Sequence, residues 1–370
     1  MRACVWMAAW WLIWIAVLPG MGQGPVITSF QGSAQLAWTN AVNSNALYRV
    51  EWAARAEGPW YRTFDNIGSL DGNTATGFTV EVPMFYRVVM ATNRPPDGMV
   101  WVDGGDVELG QTGIAEPVHT NFVSGFWMDE TEVTKAKWAA VYNWAVTNGY
   151  AFDNAGSGKT NNHPVHTVNW YDCVKWCNAR SQKEKLTPCY YIDPIYFNLY
   201  KTGSNAIDNA WVKWDANGYR LPTEAEWEKA ARGGRQRRLF PWGTDTIQHA
   251  RANYNADPTS YIYDTSPTSG YNPEYDDGVI PRTNPSGVFP ANGYGLHDMA
   301  GNVWEWCWDW YDNYTADYQT DPHGPSLATF RALRGGSWNN FPNNARCAAR
   351  SWNSMGYANY NTGFRCVKGP

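Results

Sequence analysis

The segment NGYGLHDMAGNVWEWCWDWY, residues 292–311, contains the clearest structural pattern of the chain. Its first half is rich in Gly and Asn, which favour turns. In its second half, Trp occupies every second position from Trp304 to Trp310. Side chains of a strand alternate between two faces, so this spacing places the tryptophans on one face. The segment therefore predicts a turn that leads into a strand, one aromatic face of which can lie in a core.

The turn half of this segment also carries oxygen ligands. Asp298, Asn302 and Glu305 lie within a short span, and the glycine there frees backbone carbonyl groups to turn. Carboxylate, amide and carbonyl oxygens are hard ligands, which suit Ca²⁺ rather than a soft metal. The alternative is that these side chains make only the turn and cap hydrogen bonds that are common for Asn and Asp.

The composition favours a loop-rich domain. The chain of 370 residues contains 23 Trp, 22 Tyr, 34 Gly and 22 Pro but only 17% charged residues, a profile that suggests aromatic packing and turns with less regular helix than usual. A net charge of −5 argues against binding to a nucleic-acid backbone. The sequence contains no glycine-rich phosphate loop and no G-x-S-x-G motif.

The tryptophans also suggest a binding surface. Aromatic faces beside Asn amides suit sugars or extended peptides. Six candidates are concentrated in one third of the chain: Trp304, Trp306, Trp308, Trp310, Trp338 and Trp352. The alternative is that most of them belong to the core. Asp309 and Asp312 lie among these aromatic residues, where burial would raise the pKa of their carboxyl groups.

The N-terminal third predicts export and a separate small domain. Residues 1–22 place Arg2 before a short apolar run and small residues, which is typical of a signal peptide. The alternative is a membrane anchor, although the run is shorter than the ~20 residues that span a bilayer. Residues 25–92 contain short aromatic and β-branched runs that resemble a fibronectin-like β-sandwich. An irregular presequence is the alternative, and the prolines of ATNRPPDG mark a linker.

Three segments after this linker predict helices. ETEVTKAKWAAVYNWAVTNG predicts a helix from near Thr131 to Gly149, and NWYDCVKWCNARSQKEK predicts one with Asn169 as its N-cap. In PTEAEWEKAARGG, Thr223 and Glu226 form a T-x-x-E capping box, and Gly233 suits a left-handed helix end.

Seven motifs in order resemble the formylglycine-generating enzyme family, also called the sulfatase-modifying factor family. They are FWMDETEVT, HPVHTVNWYDCVKWCNA, GYRLPTEAEWEKAARGG, FPWG, NGYGLHDMAGNVWEWCWDWY, RALRGGSW and TGFRC. The resemblance covers residues 97–368 and implies a compact α+β fold with little regular secondary structure, related to C-type lectins. It also implies structural calcium. Catalytic members of the family oxidise a sulfatase cysteine to formylglycine with copper and oxygen.

The resemblance implies two calcium sites and a substrate cleft. The first site would use the side chains of Asp298 and Glu305 and the backbone of Gly301 and Val303. An acid at position 298 departs from the amide that is frequent in relatives. The second would use Asn253, the carbonyl of Tyr254 and Asp277, where an insertion blurs the match. The residues that match cleft positions are Trp304, Ser337 and Asn361.

The cysteines permit disulfides in an exported chain. Of the seven cysteines, Cys4 lies in the predicted signal peptide. The resemblance implies a bridge between Cys177 and Cys366. It also leaves Cys347 without its usual partner, because Ala231 occupies that position. Cys307 could replace this partner, which would leave Cys173 with Cys189, or Cys347 could be a buried free thiol.

One departure from the family decides the functional expectation. Catalytic members carry a C-x4-C pair shortly after the GGS motif, because a pair of thiolates binds soft Cu(I). Here the corresponding stretch is NNFPNNAR, residues 339–346, which has no cysteine. We therefore do not expect copper, and we expect a non-oxidase binding module or diverged enzyme that holds a peptide, protein or glycan in the cleft. The alternative is a formylglycine-generating oxidase with a sulfatase as its partner.

The predicted signal peptide also predicts the location of the protein. An exported chain of this kind would be periplasmic, on the cell surface or secreted, and it would contact a membrane only if the signal segment stayed uncleaved.

Overall fold

The structure of the protein, a computed structural model, describes residues 96–369 in full and, before them, only the backbone of four strands. The chain divides into two compact units, residues 1–94 and residues 95–370.

In the first unit, the four strands form two antiparallel pairs. Strand β1 (Val26–Gln31) pairs with β2 (Gln35–Thr39), and β3 (Leu47–Ala53) pairs with β4 (Phe85–Ala91). Strands β2, β3 and β4 coincide with three of the predicted β runs, AQLAWT, LYRVEWAA and MFYRVVMA. The predicted signal peptide and the rest of the predicted sandwich lie outside the described residues, so both stay predictions.

The second unit contains two four-stranded sheets and a separate hairpin. Its strands are β5 (Met99–Val102), β6 (Gly105–Gln111), β7 (Ala115–Val123), β8 (Phe126–Asp129), β9 (Tyr219–Arg220), β10 (Trp304–Trp310), β11 (Arg331–Arg334), β12 (Arg350–Asn353), β13 (Thr362–Gly363) and β14 (Val367–Lys368). One sheet has the order β12-β11-β10-β13 and the other the order β5-β8-β14-β9, while β6 pairs with β7. Several of these strands are very short, which agrees with the predicted low content of regular structure.

The three predicted helices are present, with one shifted start. Helix α1 (Lys135–Val146) begins after Thr134, whose side chain accepts a hydrogen bond from the Lys137 N–H at 3.2 Å, so the predicted start near Thr131 and end at Gly149 were too wide. The backbone of Val133 instead bonds to Phe364 and Val165 in extended form. Among the described residues, no helix is long and apolar enough to cross a membrane.

The other two helices begin at the predicted caps. Asn169 caps α2 (Trp170–Lys183) and Thr223 caps α3 (Glu224–Ala231), and in both helices a reciprocal side chain completes the capping box. Gly233 has a φ of 59°, in the left-handed region that favours glycine after a helix. The capping motifs therefore predicted the first residue of both helices correctly.

Strand β10 is buried on both faces, not on one as the alternation suggested. Trp304, Trp306 and Trp308 face a core that α1 and α2 also line, whereas Cys307 faces a second core against α3. The Trp306 indole donates to the Val168 carbonyl at 3.2 Å. The strand is the central element between two layers, and alternation within one strand cannot show that both faces are covered.

Asp309, near the end of β10, has an abnormal acidity. Its Oδ2 accepts a hydrogen bond at 2.9 Å from the backbone N–H of Glu224, the first residue of α3. Burial, together with the nearby Glu224 carboxylate, raises the pKa of the Asp309 carboxyl group to about 8. The expectation of a raised pKa is confirmed for Asp309, whereas Asp312 is exposed and so lacks the burial on which the expectation rested.

The substitution Asp309→Asn tests this assignment. The folded pKa of about 8 lies above the unfolded value of about 3.9, so the folded chain retains a proton that the unfolded chain loses between about pH 4 and pH 8. The stability from this group is therefore present at low pH and declines as pH rises, at a slope of up to about 1.4 kcal/mol per pH unit. The amide of the variant does not titrate. In urea titrations, the free energy of unfolding of wild type minus that of the variant should therefore decrease from pH 5 to pH 8.

The matched control is Asp312→Asn, at an exposed carboxylate three residues further on. This control should show a nearly constant difference from wild type over the same range. A constant difference for Asp309→Asn as well would contradict the raised pKa.

Candidate functional site

The loop after β11 has a conformation that only glycine permits at its start. Gly335 and Gly336 have φ values of 93° and 75°, and a Cβ at Gly336 would lie 2.9 Å from the Asn344 carbonyl oxygen. A short 3-10 helix, Pro342–Ala345, follows within the loop. The loop is therefore a folded element with a fixed shape, although it is rich in Asn and Pro.

Polar side chains form a connected group at this loop. The Ser337 hydroxyl donates to Asn339 Oδ1 at 2.7 Å and also contacts Asn340 Oδ1. The Asn361 side-chain amide donates to the same Asn339 Oδ1 at 3.1 Å. Asn339 thus links two of the predicted cleft residues, and we call Ser337, Asn339, Asn340 and Asn361 the amide cluster.

The structure places all three predicted cleft residues next to one another. The Trp304 N–H donates to the Asn361 carbonyl at 2.8 Å, which attaches the start of β10 to the amide cluster. Ser337 is fully buried and Trp304 nearly so, whereas Asn361 is only half-buried. Of the three, Asn361 is the side chain that a ligand from solvent can reach most directly.

Aromatic rings and one arginine surround Trp338, which follows Ser337. The ring centroid of Trp338 lies 5.6 Å from that of Tyr271 and 5.8 Å from that of Tyr360. The Arg282 guanidinium lies 4.4 Å from the Tyr271 centroid and 5.7 Å from that of Trp338. Sequence reasoning missed Tyr271, Arg282 and Tyr360, because they come from separate loops and share no motif.

Most of the tryptophans proposed as a binding surface are core residues. Trp304, Trp306, Trp308, Trp310 and Trp338 are each at most 6% exposed. Trp352 is the exception at 45%, and its ring stacks on Phe330 with centroids 4.1 Å apart. The alternative, that most of these tryptophans pack the interior, is the correct one.

The turn before β10 is held in a conformation suited to presenting oxygens. Asp298, Gly301 and Asn302 have positive φ values of 54°, 83° and 61°. A Cβ at Gly301 would collide with the Asn253 carbonyl oxygen. The Asp298 carboxylate accepts from the Asn284 amide at 3.2 Å and from the Gly287 N–H at 2.6 Å.

Glu305, the other carboxylate predicted at this site, is occupied by N–H donors. Arg365 donates to both of its oxygens at 2.8 Å, and the Trp227 indole donates to Oε2 at 2.8 Å. Asp298 and Glu305 therefore lie in one region, but Glu305 makes its closest contacts to a guanidinium.

A third carboxylate, Glu132, lies in the same buried region, and sequence reasoning missed it. Burial and the neighbouring Asp298 carboxylate raise the pKa of Glu132 well above its ordinary value. Burial also raises the pKa of Asp298. Glu132 Oε2 accepts a hydrogen bond from the Asn302 amide at 3.2 Å. No spacing rule could have found this contact, because the two residues are 170 positions apart.

The oxygen atoms of this region are of the type that a hard cation binds. Within residues 96–369, no three His, Cys, Asp or Glu side chains converge as a ready-made metal centre. A cation here would therefore need amide, hydroxyl or carbonyl oxygens beside two carboxylates. That mixture is the type of coordination that Ca²⁺ takes in proteins.

The predicted second calcium site is occupied by other contacts. The Asn253 amide donates to the Arg282 carbonyl at 2.7 Å, and the Tyr254 carbonyl lies 3.3 Å from a ring nitrogen of His249. Asp277 is half-exposed and pairs with Lys159 at 2.7 Å. None of these contacts links one of the three predicted ligands to another.

The six cysteines of the described residues are buried free thiols in the structure. Cys177 and Cys366, the predicted bridge, lie with their sulfurs 3.6 Å apart. Cys307 and Cys347 share one hydrophobic cluster, and Cys173 and Cys189 share another. Burial raises the pKa of Cys347 to about 12, although Arg232 opposes the shift.

Comparison with known proteins places the chain in a family. The family model for the sulfatase-modifying factor enzyme 1-like domain matches residues 86–370. The formylglycine-generating enzyme of Thermomonospora curvata is 32% identical over 78% of this chain and 82% of its own length. That of Mus musculus is 28% identical over 99% of this chain and 95% of its own length.

Solved structures agree with the fold. Treponema denticola variable protein 1 is 30% identical, with a TM-score of 0.57, over 74% of this chain and 95% of its own. CarF is 27% identical, with a TM-score of 0.55, over 75% of this chain and 100% of its own. These matches confirm the predicted α+β fold, related to C-type lectins. The chain belongs to the sulfatase-modifying factor family, the family of the formylglycine-generating enzymes.

Proposed function

We propose that the protein is an exported binding member of this family, which holds an extended peptide at the amide cluster and does not oxidise it. The observation that carries the proposal is the composition of the loop from Ser337 to Arg346. It keeps a folded shape and presents Asn and Ser side chains, but it contains no sulfur. The residues that match the family's cleft are thus retained, while its soft metal ligands are missing.

The nearest cysteine to this loop is a poor substitute for a copper-binding pair. Soft Cu(I) binds thiolates, and two of them are needed for tight binding. Cys347 is fully buried and, with a pKa of about 12, carries a neutral thiol near pH 7. We therefore propose that the chain does not form formylglycine by the copper route.

The chemistry of the amide cluster favours a peptide as the ligand. Side-chain amides of Asn offer a donor and an acceptor side by side, which matches the N–H and C=O groups of an extended main chain. Tyr360, 39% exposed, adds an aromatic face beside this group. Arg282 lies beside these rings, but its guanidinium already pairs with the Asp276 carboxylate, so it gives no preference for an acidic ligand. A glycan would use the same faces and is the competing ligand class.

Screening on peptide and glycan arrays, followed by affinity measurement of the best ligand, tests this proposal. We expect enrichment of peptides, and we expect Asn361→Ala to weaken binding about tenfold, because the loss of one or two hydrogen bonds costs on the order of 1.4 kcal/mol. The matched control is Asn148→Ala, at an exposed Asn beyond the end of α1. Equal affinity of wild type and Asn361→Ala, or enrichment of glycans alone, would contradict a peptide site at the amide cluster.

Export implies an oxidising compartment, and we propose that Cys177 and Cys366 form a disulfide there. Peptide mapping of protein purified from such a compartment should recover the two cysteines in one linked fragment. Cys177→Ser should lower the free energy of unfolding by roughly 2–4 kcal/mol under non-reducing conditions. Cys347→Ser is the matched buried control: it keeps the bridge, so reductant should lower its stability as it lowers that of wild type, whereas Cys177→Ser should show no dependence on reductant. Alkylation of both Cys177 and Cys366 without prior reduction would contradict the bridge.

The proposal includes one structural calcium ion at the turn before β10. The expected ligands are Asp298, Glu305 and the carbonyls of Gly301 and Val303. The ion would hold loops whose acidic groups otherwise repel one another. We propose no calcium at the second site, because Asn253, Tyr254 and Asp277 have separate contacts.

A further inference from the structure

A cavity of about 230 Å³ lies at the end of β10 opposite to the amide cluster. Thr223, on its wall, precedes Glu224, whose N–H donates to Asp309 Oδ2 at 2.9 Å near the end of the strand. The amide cluster is instead attached to Trp304, the first residue of the strand, through the Asn361 carbonyl. Asp309 follows Trp304 by five residues, which corresponds to roughly 16 Å along a strand. We call this cavity the β10-end pocket, and its aromatic and polar walls are formed by Trp214, Arg220, Thr223, Glu226, Asp321 and His323.

One wall of the pocket is a stacked pair of rings. Trp214 and His323 lie nearly parallel, with an interplanar angle of 6° and ring centroids 3.5 Å apart. The Trp214 ring also meets Trp308 of β10 edge to face, with centroids 5.6 Å apart, so the core fixes its position. The stacked pair therefore gives the pocket a flat surface whose orientation is set by the fold.

His323 carries two ring nitrogens that the fold does not use. In the part of the chain that the structure describes, neither nitrogen has a hydrogen-bond partner, although the side chain is half-buried. Burial, together with the nearby Arg220 guanidinium, lowers the pKa of His323 to about 4, so its imidazole is neutral at pH 7. A neutral imidazole has one donor and one acceptor, and here both are available to a ligand.

Charged side chains form the polar wall of the pocket. Arg220 donates to the two oxygens of Glu226 at 2.7 and 2.6 Å, so each compensates the charge of the other. The Thr223 N–H donates to the same carboxylate at 2.8 Å. Asp321 accepts hydrogen bonds from the N–H and the hydroxyl of Ser124 at 2.6 and 2.7 Å. Within residues 96–369, however, no cationic side chain forms an ion pair with Asp321, so its carboxylate remains able to accept from a ligand.

The size and charge of the pocket exclude several classes of ligand. Pockets for drug-sized ligands measure about 300–1,000 Å³, so this smaller cavity suits a ligand of the size of one sugar ring. With a neutral His323, the charged side chains of the lining leave one negative charge, which disfavours phosphates and carboxylates. A cationic ligand would need an open aromatic face. The Arg220 guanidinium, 5.3 Å from the Trp214 centroid, already takes such a position over that ring.

The surface of the pocket matches the chemistry of a sugar. Sugar hydroxyl groups both donate and accept hydrogen bonds, which suits the Asp321 carboxylate beside the imidazole of His323. The C–H groups of a sugar ring form an apolar face, which can pack against the flat stacked rings. A neutral sugar therefore uses both walls of the pocket and meets no charge repulsion.

We propose that the β10-end pocket binds a single neutral sugar ring, either as a free sugar or as the end residue of a glycan. Asp321 accepts hydrogen bonds from its hydroxyl groups, His323 exchanges hydrogen bonds with them, and the stacked rings contact its apolar face. The pocket shares no residue with the amide cluster, so the inference does not rest on the proposed peptide site. The protein would then hold two different ligands at opposite ends of β10.

Saturation-transfer NMR of the full chain with glucose, galactose, mannose and N-acetylglucosamine, followed by calorimetric titration of those that bind, tests this inference. We expect at least one to bind, and its uronic acid or 6-phosphate to bind at least about tenfold more weakly, because Asp321 repels an anion. Each sugar is also tested as its methyl glycoside. Binding of the glycoside indicates the end of a glycan as the source, and binding of the reducing sugar alone indicates a free sugar.

Two results with wild type would overturn the inference. One is that no neutral sugar binds, including the case in which tetramethylammonium chloride binds instead and reveals a cation site. The other is that the anionic sugars bind as tightly as the neutral ones.

Two variants locate the bound sugar. His323→Phe keeps a ring that can stack on Trp214 but removes both nitrogens, and Asp321→Asn keeps a side chain that tolerates the left-handed φ of 47° at this position. We expect each to weaken sugar binding about tenfold, whereas the matched exposed control Asp317→Asn should bind as wild type does. Equal affinity of wild type and both pocket variants would overturn the inference. Weaker binding by Asn361→Ala but not by the pocket variants would also overturn it, because the sugar would then occupy the amide cluster.

Discussion

The buried ion pair between Glu305 and Arg365 connects several distant segments of the domain. All five N–H donors of Arg365 are used: Nε and one Nη2 proton bind Glu305, and the carbonyls of Asp129, Glu130 and His297 accept the rest. A buried ion pair repays its desolvation only when its remaining hydrogen bonds are satisfied. Here they are, and the Trp227 indole also donates to Glu305. One residue pair thus ties β10 to the end of β8, to α3 and to the C-terminal strands.

The same pair orders the proposed cation region and the cleft. Arg365 fixes the turn at His297, next to Asp298, and Glu305 fixes the start of β10. From this turn, the Gly301 N–H donates to the Gly335 carbonyl at 2.8 Å, and the Trp338 N–H donates to the Asn302 carbonyl at 2.9 Å. The loop that carries Ser337 is therefore hydrogen-bonded directly to the turn that carries Asp298. Two backbone hydrogen bonds therefore couple the proposed cation region to the cleft.

Local chemistry allowed parts of this architecture to be predicted from the sequence. The capping residues Asn169 and Thr223 act within one helical turn, so their signal is complete in a short segment. The start of α1 was misplaced because Val133 pairs with Phe364, a contact that no local pattern records. Likewise, alternation identified one buried face of β10, but the second face is covered by α3, which is distant in sequence.

The candidate site residues divide in the same way. Trp304, Ser337 and Asn361 were predicted because each lies in a motif of the family, and the structure brings them together. Glu132, Asn284, Tyr271 and Arg282 were missed, since each joins its site from a different loop. Their significance depends on hydrogen bonds and ring distances, which exist only in the folded chain.

The central proposal is that the chain has the cleft residues of the family without its copper chemistry. The most direct measurement is mass spectrometry of a cysteine-containing sulfatase peptide after incubation with the purified protein, a Cu(I) salt and oxygen. The account predicts that the peptide cysteine is recovered unchanged. Conversion of that cysteine to formylglycine by wild type, lost on substitution of Ser337 by Ala, would contradict it.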